Sequence, residues 1–283
     1  RRLLVQSAHY ILGRYGPDSD LRRWGLGLAA RGGRAAKKRA VKKAARKTAD
    51  TGSIAAAKPA SRSRKRRGLA GFIAEPVLGC GGQIVLPDTY LNEAFTHVRA
   101  AGGVCIVDEV QVGFGRAGSH FWAFESQQVV PDIVTLGKPM GNGHPLAAVI
   151  TTPEIADAFA NGMEYFNTFG GNPVACAAGL VVAKEVFEKD LMNSVERLGA
   201  DFISKLNQLR IRFPNKIKEV RGLGFMLGVE MNIPCYKLVN EFRENGILVN
   251  CTSENVIRIL PPLISQKENI DHFITVFNKL LNQ

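Results

Sequence analysis

Three short apolar runs in this sequence lead to ionisable side chains. The run GFIAEPV leads to Glu75, VCIVDEV to Asp108 and Glu109, and DIVTLGK to Lys138. Taken singly, each residue has an ordinary explanation, such as a helix cap, a solvated strand end or a lysine that reaches the surface. Taken together they indicate a site, because buried charge is costly unless it is paired or used in chemistry.

Lysine and aspartate in one pocket indicate a specific kind of carbonyl chemistry. A lysine in a desolvated pocket is a good nucleophile for a carbonyl carbon, with which it forms a Schiff base. A nearby aspartate can keep a pyridinium nitrogen protonated, which pyridoxal phosphate needs in order to act as an electron sink. The pairing of Lys138 with Asp108 is therefore the sharpest chemical interpretation of the pattern.

The elements that carry these groups are short strands and helices. The runs at 69–77, 104–110, 132–138 and 146–152 are typical of buried strands, and a helix is predicted from Pro87 to about Ala101. All-apolar strands separated by helices predict an α/β fold with a mainly parallel sheet covered on both faces. In such a sheet, the carboxyl ends of the strands face the ligand crevice.

The text changes again after about residue 213. VRGLGFMLGVEM, GILVNC and NVIRILPPL are typical of strands, whereas YKLVNEFREN and KENIDHFITVFNKLLN are typical of helices. The sequence therefore predicts a large domain over 68–213 and a small C-terminal α+β domain over 214–283.

The first 67 residues have a different composition. They hold 20 of the chain's 37 lysines and arginines but only three of its 25 acids, so the remainder is mildly acidic. Residues 31–67 are mostly Ala, Lys, Arg, Gly and Ser, which cannot bury enough apolar surface to fold alone. We expect 1–67 to be disordered or non-native. Residues 31–67 could bind nucleic acid only non-specifically, because no aromatics are interleaved. The scarcity of acids also resembles a mitochondrial transit peptide, so the location is expected to be mitochondrial or cytoplasmic.

Other classes of protein are disfavoured. No apolar run reaches the eighteen or so residues that a membrane span needs, which predicts a soluble protein. The five cysteines are scattered and odd in number, which favours free thiols over a disulfide framework. No cluster of His, Cys and Asp has the spacing of metal ligands, so no metal is expected.

Residues 68–283 resemble the C-terminal two thirds of class III aminotransferases, which are pyridoxal-phosphate enzymes of fold type I. The matching text includes AEPVLGCGG, GGVCIVDEVQVGFGRAGSHFWAFE, PDIVTLGKPMGNGHPLAAV, NTFGGNPVACAAG and NVIRILPPL. The wording is most similar to the alanine–glyoxylate aminotransferase 2-like branch, which includes the ethanolamine-phosphate and 5-phosphohydroxylysine phospho-lyases. The resemblance implies an incomplete large domain like that of aspartate aminotransferase, plus the small domain.

The resemblance also implies roles for individual residues. Lys138 matches the lysine that binds the cofactor covalently and shuttles a proton, and Asp108 matches the carboxylate under the pyridine nitrogen. Gln111 matches the side chain near the cofactor's phenolic oxygen. Thr168 matches a hydroxyl that reaches the cofactor phosphate of the neighbouring subunit, which implies a homodimer with shared sites.

The substrate side of the resemblance leaves alternatives open. Glu75 and Arg258 match a pair that in many members of the class faces the substrate, where the arginine grips a carboxylate. The phospho-lyases tend to carry Lys at the position of Arg258, so Arg258 favours transamination of a small amino compound. A phospho-lyase acting on a phosphorylated amine is the alternative.

The chain is also shorter than members of the family that it resembles. The family's N-terminal part, with its phosphate-binding loop, is missing from this text, and residues 1–67 do not resemble it. A further alternative is therefore an inactive remnant that serves as a dimer partner.

Overall fold

The protein is described by a computed structural model, which covers residues 2–5 and 68–283 with the exception of Met163. Most of the basic segment, for which we expected disorder, lies outside the described residues. The strands are β1 Arg2–Val5, β2 Gly71–Ala74, β3 Val77–Leu78, β4 Ile84–Val85, β5 Val104–Asp108, β6 Ile133–Leu136, β7 Ala148–Thr151, β8 Ile217–Leu223, β9 Met226–Met231, β10 Asn250–Thr252 and β11 Val256–Ile259. The α-helices are α1 Tyr90–Ala100, α2 Pro153–Phe159, α3 Pro173–Glu188, α4 Leu191–Arg212, α5 Tyr236–Glu244 and α6 Lys267–Leu281. Short 3₁₀ helices span Ala123–Gln127 and Lys138–Met140.

The first sheet has the order β1-β7-β6-β5-β2. The pairs β2·β5 and β5·β6 are parallel, as predicted, whereas β7 runs antiparallel to β6 and to β1. The chain between β6 and β7 is residues 137–147, which is shorter than the dozen or more residues that a parallel crossover needs. The fourth predicted strand is therefore present, but it runs in the opposite direction to its neighbour.

One face of this sheet is covered by α1. The apolar side of that helix packs Leu91 and Phe95 against Cys105 and Val107 of β5. Side chains alternate along a strand, so Asp108 lies on the other face of the sheet. The covering helix and Asp108 therefore lie on opposite faces of the sheet.

A second sheet follows further along the chain. It is antiparallel, with the order β10-β11-β9-β8, and it packs against the apolar sides of α4, α5 and α6. Helix α4 contributes Phe202 and Leu206 to this core, although the sequence places it before the boundary at residue 213. That boundary stays a prediction. Apolar residues recur at every third or fourth position of α6, and this spacing places Phe273 and Phe277 in the same core.

The cysteines differ from expectation. Cys235, at the start of α5, and Cys251, in β10, form a disulfide, so the prediction of free thiols is wrong for this pair. Their separation of 16 residues carries no motif, and the fold alone brings them together. Cys105 is a buried free thiol, while Cys80 and Cys176 are exposed. No described helix combines the length and hydrophobicity that a membrane crossing requires.

Candidate functional site

The parallel strands bring three of the predicted site residues to one edge of the first sheet. Asp108 ends β5, Lys138 follows β6, and Glu75 follows β2. These three strands are neighbours and run in the same direction, so their carboxyl ends meet. The sequence-based expectation that the three charges converge is thus supported by the topology of the sheet.

The electrostatics of Glu75 show which charges lie around it. Burial raises the pKa of its carboxyl, and the nearby Asp108 raises it further. The backbone N–H of Gly79, which donates to Glu75 Oε2 at 2.9 Å, lowers the pKa, as do the charges of Lys138 and Arg258. Two carboxylates and two cations therefore share this end of the sheet.

Asp108 is held by its own loop and has an unusual neighbour. Its Oδ1 accepts a hydrogen bond from the backbone N–H of Val110 at 2.9 Å. Thr135 lies directly beside Asp108 in the parallel ladder, so their side chains share a face. The buried hydroxyl oxygen of Thr135 has no hydrogen-bond partner among the described residues. Buried polar atoms are normally satisfied, so this one indicates room for a polar ligand next to Asp108.

Arg258 reaches the same site from the second sheet. It lies in β11, opposite Gly228 of β9, and it is half-buried. Its Nη2 donates to Oε1 of Gln111, which follows β5. The amide nitrogen of Gln111 in turn donates to the sulfur of Cys80 at 3.5 Å. Gln111 therefore joins the substrate-side arginine to the loop that follows Asp108.

Gln83 is the second partner of Arg258. In the amide orientation that satisfies both of its ends, its oxygen accepts from Nε of Arg258 at 3.1 Å and its nitrogen donates to the carbonyl oxygen of Gly79 at 2.8 Å. Gln83 is fully buried. Sequence reasoning missed this residue, although a glutamine directly after two glycines in an apolar stretch is a signal that could have found it.

Lys138 is more accessible than expected. The strand β6 is mostly buried and Gly137 is buried, but Lys138 begins the 3₁₀ turn at the rim of the sheet and its side chain is exposed. The expectation of a desolvated pocket around this lysine is therefore wrong for the part of the chain that the structure describes. Its charge still acts on Glu75, which places it with the other groups of the site.

Glu109 does not join the site that Asp108 faces. Its two oxygens accept from the backbone N–H groups of Ala123 at 3.1 Å and Phe124 at 2.9 Å, at the start of a 3₁₀ helix. Successive residues of a strand point to opposite faces, which is why the two adjacent acids separate. Burial raises the pKa of Glu109 to about 7, despite these two hydrogen bonds. Glu109 therefore anchors the loop behind the site.

Arg116 links the first sheet's loop to the second sheet. Its Nη1 donates to the carbonyl oxygens of Pro261 at 2.9 Å and Phe225 at 3.3 Å, and burial together with the charge of Arg258 lowers its pKa to about 10. The backbone N–H of Phe225 donates back to the carbonyl oxygen of Arg116 at 2.9 Å. These hydrogen bonds hold the turn between β8 and β9 against the loop that follows Gln111.

Thr168 lies apart from the other predicted residues. It is exposed in the loop between α2 and α3, and none of the contacts described above includes it. Its expected role concerns a neighbouring subunit, so it stays a prediction. The structure thus assembles Glu75, Asp108, Gln111, Lys138 and Arg258, but not Thr168.

The sequence of this chain matches a known protein family and several of its members. The sequence model of the family described as "Aminotransferase class-III" matches residues 34–281, so the match begins inside the segment that we placed outside the resemblance. The chain is 47% identical over 231 residues to alanine–glyoxylate aminotransferase 2-like of Drosophila melanogaster, covering 77% of this chain and 47% of that protein. It is 45% identical over 230 residues to the human protein named "Alanine--glyoxylate aminotransferase 2, mitochondrial", covering 77% and 45%.

A solved structure shows a similar fold. It is a phospholyase from Arthrobacter in complex with phosphoethanolamine, with a TM-score of 0.72 and 37% identity, covering 77% of this chain and 54% of that one. The chain spans about half the length of the curated relatives it matches.

Proposed function

The chain belongs to the class-III aminotransferase family, a pyridoxal-phosphate family of fold type I, and from that membership we propose that it is a transaminase acting on a small amino compound. The proposal concerns the activity of the whole protein. It is supported by the convergence of a lysine, an aspartate and an arginine at one end of the sheet.

The residues at this edge fit pyridoxal phosphate. Lys138 is the amine that would hold the cofactor, and Asp108 is the carboxylate that would face its ring nitrogen. The unpartnered hydroxyl of Thr135, beside Asp108, supports a polar group in that position. When bound, the cofactor supplies an aldehyde that condenses with amines and a ring that delocalises negative charge from the substrate carbon.

The chain's own groups then divide the remaining tasks. Asp108 provides a negative charge on the face of the sheet opposite α1, and the backbone N–H of Val110 fixes its carboxylate. The exposed amine of Lys138 has the freedom to accept and donate a proton at its Nζ. Arg258 binds the acidic group of the substrate, and Glu75 lies close enough for the charges of Arg258 and Lys138 to act on its carboxyl.

The observation that carries the substrate class is the state of Arg258. The two partners described for its guanidinium, Gln83 and Gln111, are neutral amides, and no described carboxylate lies within ion-pair distance of it. The charge of Glu75 acts on Arg258 only from beyond ion-pair distance. A half-buried guanidinium that makes no direct ion pair with a described carboxylate favours a ligand that brings a negative charge. We therefore infer an amino donor that bears a carboxylate, which an arginine binds through two parallel hydrogen bonds.

A phospho-lyase is the alternative reaction. The solved phospholyase that this chain resembles contains phosphoethanolamine, and a guanidinium binds phosphate as well as carboxylate. Assays of phosphate release from ethanolamine phosphate and of keto-acid formation from L-alanine separate the two reactions.

A homodimer is the proposed assembly, with Thr168 of one copy near the cofactor phosphate of the other. The face of α3 exposes Val174, Leu180 and Val181, and the loop before it exposes Phe166 and Phe169. Exposed apolar side chains grouped in this way are typical of an interface. Sedimentation equilibrium tests the dimer, and a monomer at micromolar concentration would contradict this assembly.

A mitochondrial location is proposed from the name of the human relative, and imaging of the tagged full-length protein tests it.

Covalent attachment of the cofactor tests the proposed function. The protein is incubated with pyridoxal phosphate, reduced with borohydride, digested and analysed by mass spectrometry. We expect the mass of the reduced cofactor on the peptide that contains Lys138, and no label at that position in Lys138→Ala. Lys184→Ala, an exposed lysine of α3, is the matched control and should label normally. Equal labelling of many lysines, with none preferred, would reject a specific site.

A further inference from the structure

Gln83 has the position and the chemistry to fix the orientation of Arg258. The chain places it in the turn between β3 and β4, where its side chain is fully buried. Its amide joins the carbonyl oxygen of Gly79 to Nε of Arg258, with distances of 2.8 Å and 3.1 Å. A buried amide that is satisfied at both ends has little freedom to rotate.

The backbone at Gln83 is held in an uncommon conformation. Its φ angle is 56°, in the left-handed region that residues other than glycine rarely adopt. The turn is fixed by the N–H groups of Gly82 and Gln83, which both donate to the carbonyl oxygen of Gly79. Arg221 adds a further bond, from its Nε to the carbonyl oxygen of Gly82 at 2.8 Å. Non-glycine residues held in this region concentrate at functional sites.

The opposite strand leaves space for this side chain. Gly228 pairs with Arg258 in the ladder between β9 and β11. A Cβ atom at Gly228 would stand 2.8 Å from Cβ and 3.3 Å from Cγ of Gln83, so any side chain there would push Gln83 away. The glycine and the glutamine therefore form a matched pair beside Arg258.

The two glutamines occupy one edge of the guanidinium. Gln83 accepts from Nε and Gln111 from Nη2, and these two nitrogens lie on the same side of the planar group. The structure describes no partner for Nη1 of Arg258, so the end formed by Nη1 and Nη2 stays available. A carboxylate or phosphate binds that end through two parallel hydrogen bonds.

We propose that Gln83 is a positioning residue, which through its bond to Nε of Arg258 holds the free end of the guanidinium toward the anionic group of the substrate. The substrate part of this inference rests on the proposed function, but the bond itself does not. Gln83 therefore contributes to the affinity for the anion without touching the reacting atoms.

Two variants of Gln83 separate the bond from the fold. Gln83→Leu removes the acceptor, whereas Gln83→Glu keeps an acceptor at Nε but adds a negative charge that competes with a substrate anion. The matched control is Gln127→Leu, because Gln127 is also buried and accepts from the backbone N–H of Leu91 at 3.2 Å, away from Arg258. Gly228→Ala is an independent variant, which displaces Gln83 from the other side.

The first measurement is the exchange rate of the Arg258 Nε–H by ¹⁵N NMR, with the signal assigned by its loss in Arg258→Lys. We expect slow exchange in the natural sequence, in Gln83→Glu and in Gln127→Leu. Exchange should be at least tenfold faster in Gln83→Leu and in Gly228→Ala. An unchanged rate in both would overturn the proposal, whether or not the protein turns over any substrate.

The second measurement compares two amino donors, L-alanine and ethylamine, which is alanine without its carboxylate, each with glyoxylate as the amino acceptor. For Gln83→Leu we expect the KM for L-alanine to rise about tenfold with kcat within twofold, and the KM for ethylamine to stay unchanged. Gln83→Glu should also raise the KM for L-alanine, although its Nε–H signal persists. An equal change for both amines would contradict a role in anion binding. Absence of turnover in the full-length protein would reject the proposed function instead, and the NMR result would still decide the role of Gln83.

Discussion

The buried carboxyl of Glu109 gives a quantitative prediction for the stability of the fold. Its pKa is raised from an ordinary value of 4.5 to about 7, mainly because burial disfavours the charged form. The two backbone N–H groups that it accepts from, at Ala123 and Phe124, offset part of this cost. The acid form is therefore the stable form in the folded protein up to about neutral pH.

The sign of the effect follows from proton linkage. Below pH 4.5 the folded and unfolded chains both hold the proton, so the contribution to stability is complete. Between pH 4.5 and 7 the unfolded chain releases the proton first, so the free energy of unfolding falls as the pH rises. The shift of about 2.5 pH units corresponds to a loss of about 3 kcal/mol by pH 8, since each unit is worth about 1.4 kcal/mol.

Urea denaturation of the natural sequence and of Glu109→Gln at pH 5 and pH 8 measures this loss. Glutamine cannot ionise, so the variant should lack the decline and gain about 2–3 kcal/mol relative to the natural sequence between the two pH values. The absolute stability of the variant at pH 5 should be lower by about 1 kcal/mol, because the NH₂ group of the amide cannot accept a hydrogen bond, whereas the hydroxyl oxygen of the neutral acid can.

The matched control is Glu125→Gln. Glu125 is exposed in the same 3₁₀ helix and accepts from the backbone N–H of Trp122 at 3.1 Å, so it tests the helix without the buried charge. Its pH dependence should stay close to that of the natural sequence, because the charge of Glu125 is the smallest of the causes that shift the pKa of Glu109. If Glu109→Gln retains the full decline between pH 5 and pH 8, the reasoning from the burial of Glu109 is refuted.

Two further predictions concern the second sheet and its covering helix. Hydrogen bonds from Lys218 and Arg221 lower the pKa of Glu230 to about 2, so its contribution to stability is complete above pH 4.5 and is lost as the pH falls through 2. Because Lys218 is exposed, solvent screening reduces this contribution to about 1–2 kcal/mol. Glu230→Gln should therefore lower the free energy of unfolding by about this amount at pH 7 and leave it almost unchanged near pH 2, as measured by denaturation at the two pH values. A Cβ at Gly199 of α4 would stand 2.5 Å from the carbonyl oxygen of Gly224, so Gly199→Ala should lower the free energy of unfolding by about 1–2 kcal/mol in urea despite the better helix propensity of alanine. Gly179→Ala in α3 is the control, because a Cβ there would meet the end of the Leu146 side chain, which can move aside, rather than backbone. An equal loss of unfolding free energy in both variants would mean that the backbone contact at Gly199 is unimportant.

The match between sequence and structure is best where local patterns decide the outcome. Apolar runs of strand length predicted β2, β5, β6 and β7, and the three parallel members carry Glu75, Asp108 and Lys138 to one edge as expected. The family resemblance rests on the same text and is confirmed by the family comparison. These features follow from short stretches of chain, whose hydrophobicity and length are visible without knowledge of the fold.

Other features depend on contacts between distant segments. Cys235 and Cys251 meet because α5 and β10 pack together, and no spacing rule indicates this. Asp108 and Glu109 are adjacent in the sequence but serve opposite faces, and the packing of α1 determines which face is covered. The exposure of Lys138 likewise depends on how the chain turns at the rim of the sheet.

The sequence by itself determined the family, because the motifs that contain Lys138, Asp108 and Arg258 are local stretches of chain that can be recognised without the fold. Only the tertiary structure decided how the arginine is held, since Gln83 and Arg258 are far apart along the chain and meet through the packing of a turn against a ladder of another sheet. The physical reason is that residue types and spacing encode local conformation and reactivity. The hydrogen bonds that orient a charged group arise from non-local packing, which no local pattern records.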